Sequence, residues 1–93
     1  MNESAVEKNI VKRVRDAGGE AYKFVSPGRS GVPDRLILLP VPVAWQPLVQ
    51  RYVRFVEAKA PGKKPKKIQP AEHEYLRKLG YRVDVVDSKN WNL

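Results

Sequence analysis

The sequence has no cysteine, and only one histidine and one methionine occur in its 93 residues. Without cysteine there is no disulfide framework and no thiolate metal centre, and with a lone histidine a zinc site is not expected. This fits a reducing compartment. No apolar run approaches the roughly 20 residues of a membrane-spanning helix. The opening MNESAVEKNIVKRVRD also lacks the apolar centre of a signal peptide. A soluble, cytoplasmic chain with no membrane partner is expected. Repeats and low-complexity tracts are missing too. Negative charge is scarce: Lys and Arg outnumber Asp and Glu by 18 to 10, a formal net charge of +8. A small basic domain points to a polyanion, above all nucleic acid, the plain alternative being a well-solvated basic surface.

What is present is an ordinary globular composition, 42% apolar, which predicts one folded domain over residues 1–93. A chain this short buries only about two thirds of its unfolded surface, so pairing with a second copy is an easy way to bury more. Val6, Ile10 and Val14 recur every fourth residue, with Val11 beside them, and predict a helix from about Ser4 to Ala17 that Gly18-Gly19 ends. Glu20–Val25 reads as a strand. The glycines and prolines of SPGRSGVP make a loop. Asp34–Leu39 reads as a strand apolar on both faces and therefore central. PVPVAWQPLVQ (Pro40–Gln50), with three prolines in eight residues, cannot be a central strand. Arg51–Ala60 reads as a third strand, Pro70–Leu79 as a helix closed by Gly80, and Tyr81–Val86 as a last strand with one wetter face or an edge position. The order is α-β-β-β-α-β, an α/β fold with a mixed sheet flanked by helices.

Alternation along FVEAKA puts Glu57 and Lys59 on one strand face with Val53 and Phe55. A carboxylate on a partly covered face needs a partner, and a metal ion is one; a surface ion pair with Lys59 is the plain alternative. Asp34 opens an apolar strand after a Gly-Val-Pro turn, where it is either a turn cap or a second metal ligand. If the two strands form a hairpin, Asp34 and Glu57 converge at one sheet edge with Lys59. Hard divalent cations favour such oxygen ligands. Glu7 lies between Val11 and Val14 on the helix, facing the sheet as a third acid. Alternatively, SAVE is a capping box with Ser4 as N-cap. Glu3, on the same side, is a weaker substitute for Glu7.

Together GVPDR, FVEAKAPGKKP and Gln69 at the head of the second helix resemble the VRR-NUC (virus-type replication-repair nuclease) domain of the PD-(D/E)XK superfamily. The resemblance spans essentially the whole chain, departing from the family pattern in the long Pro40–Gln50 insertion. It implies a restriction-endonuclease-like PD-(D/E)XK core and Mg2+-dependent hydrolysis of DNA phosphodiester bonds, with Mn2+ as a substitute. Asp34, Glu57 and the Ala58 carbonyl would bind the metal, with Glu7 joining directly or through water. Lys59 would sit beside the scissile phosphate, and Gln69 would support the lysine or the attacking water. Stand-alone members resemble Holliday-junction resolvases acting as homodimers on branched DNA. The rival readings are a flap or single-strand-end nuclease and, in a different class, a non-catalytic basic DNA-binding module.

Lys63, Lys64, Lys66 and Lys67 follow the E-x-K strand and can neutralise phosphates, with Pro61 and Pro65 holding that loop extended. Arg29 is a second phosphate clamp. His73 is expected at the surface. Trp45 either packs under its own loop, meets a second subunit, or stacks on bases. Trp91 is expected to pack on the domain edge.

Overall fold

The computed structural model describes residues 2–25, 28–64, 66 and 68–93. Ser26, Pro27, Pro65 and Lys67 lie outside them, so the expectations for Pro65 and Lys67 have no structural counterpart. The elements run α1 (Glu3–Asp16), β1 (Glu20–Lys23), β2 (Arg35–Leu38), a 3-10 turn (Val43–Trp45), α2 (Gln46–Tyr52), β3 (Arg54–Ala58), α3 (Ile68–Lys78) and β4 (Arg82–Val86). This is the expected α/β alternation with one short helix added inside the proline-rich insertion. The chain divides into two compact units, Met1–Pro40 and Val41–Leu93.

In the first unit α1 packs on the antiparallel β1–β2 ladder, whose register pairs Glu20 with Leu38 and Lys23 with Arg35. Val14, Ala21 and Leu38 form its buried centre. The N-cap is Asn2, whose side chain accepts from the Ala5 N–H at 2.9 Å, and not Ser4. An asparagine two residues earlier competes for the orphan N–H groups of the first turn and accepts that of Ala5. The helix ends in a Schellman motif: the Gly19 N–H donates to the Val14 carbonyl and the Gly18 N–H to Arg15, with Gly18 at φ 81°. β2 was expected to be central, but its ladder partner among the described residues is β1, and Ile37 is 46% exposed.

In the second unit β3 and β4 pair in parallel, Arg54 opposite Arg82 and Glu57 opposite Val85, and α3 is the connection that parallel pairing requires. Leu76, Leu79 and Val83 are buried, and Phe55 meets Tyr81 edge-to-face with centroids 6.1 Å apart. The Schellman motif recurs at the end of α3: Tyr81 donates to the Leu76 carbonyl and Gly80 to Arg77. Gly80 is constrained twice, by φ 103° and by the approach of α2. A Cβ there would lie 3.0 Å from Gln46 and Val41 side-chain atoms. Arg51 and Tyr52, expected in the third strand, belong to α2 instead. Pro47 suits the first turn of that helix, and two glutamines fix its inner face, Gln46 donating to the Val41 carbonyl and Gln50 to Gly80. Its outer face leaves Trp45 59% exposed, so Trp45 does not pack under its own loop.

β4 carries a local charge network. Arg82 Nε donates to both Asp84 oxygens at 3.1 and 3.0 Å, and Trp91 Nε1 donates to Oδ2 at 3.3 Å, so Trp91 packs at this edge as expected. The Arg82 bond, reinforced by Trp91 and the charge of Arg54 against the opposing effect of burial, holds the Asp84 carboxyl below the usual carboxylate range. A lowered carboxylate pKa stabilises the fold fully above the unfolded value of about 4 and progressively less as pH falls through the folded value. Asp84→Asn is therefore expected to lower stability at neutral pH. The loss should be about 1 kcal/mol, because Arg82 is partly solvated. Thermal melts of variant and wild type should converge in acid.

Candidate functional site

The first unit assembles an acidic cluster. Glu3 and Glu7 are one turn apart on α1, and Asp34 immediately precedes β2, where its carbonyl accepts the Phe24 N–H at 2.8 Å and extends the ladder. One carboxylate oxygen from each of Glu3, Glu7 and Asp34 lies within 4.8 Å of the others. Because Asn2 caps α1, Glu7 is released from the capping-box role and its half-buried carboxylate turns to the cluster. Glu3, ranked below Glu7 by sequence, joins it. Arg35 tempers the repulsion among these acids: its Nε stands 3.9 Å from Glu7 Oε1, while Nη1 donates to the Ala21 carbonyl at 3.3 Å. An all-carboxylate donor set is the chemistry that oxygen-seeking divalent cations such as Mg2+ favour, so the residues present fit such an ion.

The second unit holds the E-x-K element. Phe55, Glu57 and Lys59 are half-buried and Val56 and Ala58 exposed, so the alternation expected for this strand holds. Val53 falls outside the strand and is 46% exposed. The Lys59 N–H donates to the Val86 carbonyl at 2.9 Å, carrying the ladder one residue beyond β3. Gln69 works as a strap: its Nε2 donates to Glu57 Oε1, and its Oε1 accepts the Lys66 backbone N–H at 2.9 Å. The same amide thus ties the basic loop to the E-x-K carboxylate.

The basic loop begins with a turn in which Lys63 donates to the Ala60 carbonyl at 3.0 Å and Gly62 has φ 79°. With Pro61 before Gly62 these are the features of a type II turn. Lys63, Lys64, Lys66 and, in the first unit, Arg29 are exposed, as phosphate contacts must be. His73 is the clear correction. It is 8% exposed on α3, one turn after Gln69, lining a cavity of about 270 Å³ with Phe55, Glu57 and Leu76. The apolar stripe of α3 carries this position inward, and a single polar residue within such a stripe gives no local sign of its burial.

No family model matches the chain. A protein described as "Putative nuclease p44", from Acyrthosiphon pisum secondary endosymbiont phage 1, is 49% identical over 90 residues, covering 97% of this chain and 87% of its own length. A solved structure described as "VRR_NUC domain" is 38% identical, covering 92% of this chain and 84% of that one. Its TM-score is 0.39, so the relation rests on sequence identity and not on superposition. An E-x-K strand, a carboxylate cluster fit for a divalent cation and this shared sequence agree: the chain belongs to the VRR-NUC family of PD-(D/E)XK-like nuclease domains.

Proposed function

We propose that residues 1–93 act as one Mg2+-dependent endonuclease domain that hydrolyses DNA phosphodiester bonds, with Mn2+ as a substitute. The observation that carries this reading is the convergence of Glu3, Glu7 and Asp34 within 4.8 Å in a chain of a nuclease family. Glu7 and Asp34 would hold the cation in the first unit, and Glu57 and the Ala58 carbonyl are the metal-donor groups that the E-x-K element offers. A bound Mg2+ would supply Lewis acidity toward the phosphoryl oxygens and lower the pKa of water.

The chain's own residues would do the rest. Lys59 places a fixed positive charge where negative charge gathers in the transition state. Gln69 holds the Glu57 carboxylate in one orientation through the hydrogen bond described above and keeps the basic loop against it. Lys63, Lys64, Lys66, Lys67 and Arg29 would neutralise the DNA backbone, an affinity that falls steeply with salt.

For the substrate we favour branched DNA, with a homodimer acting as a Holliday-junction resolvase. Two symmetric cuts need two active sites, and one chain contributes one. The test is a cleavage assay with Mg2+ or Mn2+ on four-way junctions, flaps and linear duplex, beside a mass measurement in solution. Paired symmetric cuts by a dimer are expected. A strict monomer that cuts only flaps would overturn the resolvase reading, and no metal-dependent cleavage of any substrate would overturn the nuclease.

A further inference from the structure

A concavity in the first unit belongs neither to the E-x-K element nor to the basic loop. It is a groove of about 560 Å³ along α1, lined by Glu7, Lys8, Lys12, Arg15, Asp16 and Arg35 among others. Residues 8, 12 and 15 fall within about 60° on a helix of 3.6 residues per turn, so the three cations form one stripe. That stripe is about 10 Å long at 1.5 Å rise per residue. All three are exposed. Lys12 pairs with Asp16 at 2.8 Å, but both side chains are well solvated, 73% and 64% exposed, and such a pair yields readily to a stronger anion. Lys8 has no ion-pair partner among the described residues. Arg35 also lines the groove. Its Nε is buried without a hydrogen-bond partner, and its nearest carboxylate contact, Glu7, is 3.9 Å away.

We propose that this groove is a second track for the DNA backbone, in which Lys8, Lys12 and Arg15 take successive phosphates and lead the strand to the acidic cluster at Glu7. The inference rests on the nuclease reading above and adds a substrate-binding surface to it. An ordinary solvated helix face would carry lysines too, but three features set this one apart. The cations line a concave surface, a candidate metal ligand, Glu7, belongs to the same lining, and so does a half-buried arginine whose Nε lacks a hydrogen-bond partner. A strand repeats one phosphate per 3.4 Å of duplex axis, so a stripe about 10 Å long spans roughly three phosphates. An extended anion running along the helix matches that spacing, whereas a compact anion would engage one end only.

The experiment replaces the stripe with neutral, helix-compatible residues: Lys8→Gln, Lys12→Gln and Arg15→Gln together, and Lys8→Gln alone, which breaks no ion pair. Binding to a fluorescent duplex and a four-way junction is measured without divalent metal across a salt series, with helix content and melting checked by circular dichroism. The triple variant is expected to bind about tenfold or more weakly and to lose about 2–3 from the slope of log K against log salt. The single variant should lose about 1. A fully charged Lys8→Arg, Lys12→Arg variant should restore the slope. Unchanged affinity and slope in the folded single and triple variants, while wild type binds and cleaves DNA, would overturn the track alone. Loss of affinity for an acidic protein ligand such as polyglutamate, with DNA binding intact, would also overturn it. Failure of the wild-type chain itself to bind DNA would overturn the nuclease reading, and is told apart by appearing before any substitution is made.

Discussion

Glu57→Gln and Lys59→Ala are each expected to lower metal-dependent DNA cleavage by about three orders of magnitude while leaving DNA affinity nearly unchanged. The Glu57 substitution is close to isosteric. In the wild type, Gln69 Nε2 donates to Glu57 Oε1, and a glutamine at position 57 can offer its carbonyl oxygen to the same donor. The strap to Lys66 and the parallel β3–β4 ladder should therefore survive, and the melting temperature should hold within a few degrees. What disappears is the formal negative charge, which an oxygen-liganded divalent cation needs most. Lys59 acts through a different term. Its backbone N–H is committed to the Val86 carbonyl, so alanine preserves the ladder and removes only the ammonium. Glu57→Gln should bind duplex with about the wild-type salt dependence, and Lys59→Ala should lose no more than about 1 from the slope, because the basic loop is untouched. Single-turnover rates on a junction, measured beside anisotropy, separate the two effects. Undiminished cleavage by either purified variant would sink the proposed roles.

The second large effect is one of opposite signs. Asp34→Asn is expected to raise the stability of the metal-free protein slightly and to abolish its response to metal. Three carboxylates whose oxygens lie within 4.8 Å repel one another, and among the described residues the Arg35 guanidinium, 3.9 Å from Glu7, offsets part of this. Two of the three acids are exposed, so removing one charge should gain up to about 1 kcal/mol, not the larger figure of a dry interior. With metal the balance reverses. A cation that binds only the folded state stabilises it by RT ln(1 + [L]/Kd), about 2.7 kcal/mol at a hundred times Kd. Wild type should melt higher in Mg2+ or Mn2+, Asp34→Asn should not, and its cleavage should fall at least about a hundredfold. Melts with and without metal check both signs without any activity assay. A variant that loses stability in the absence of metal and keeps the full metal shift would show that Asp34 is a turn cap.

The part of this site legible in the sequence is the part carried by short-range geometry. Alternation alone put Glu57 and Lys59 on a common face of β3. Helical spacing places Glu7 beside Val14, whereas the resemblance gives Gln69 to Lys59 or the attacking water and the structure bonds it to Glu57 and the Lys66 N–H. Glu3 was ranked too low because helix starts are decided within one turn by competing caps. Once Asn2 captures the Ala5 N–H, both glutamates are free to turn toward Asp34. The groove along α1 was not legible at all. Lys8, Lys12 and Arg15 read as an ordinary solvated face until a concave surface joined them to Glu7.

Sequence by itself determined the order of the helices and strands other than α2, both glycine helix stops, the basic balance and the set of acids available to a cation. These rest on local terms: side-chain periodicity, the positive φ that glycine tolerates, and formal charge. Tertiary structure decided the rest. It gave β2 its partner in β1, folded Arg51 and Tyr52 into α2 under the hold of Gln46 and Gln50, and turned His73 inward against expectation. It also used Gln69 to join a strand to a loop nine or more residues away in the chain. Each of these depends on a contact between residues far apart in sequence, whose energy no local pattern records until the chain has closed upon itself.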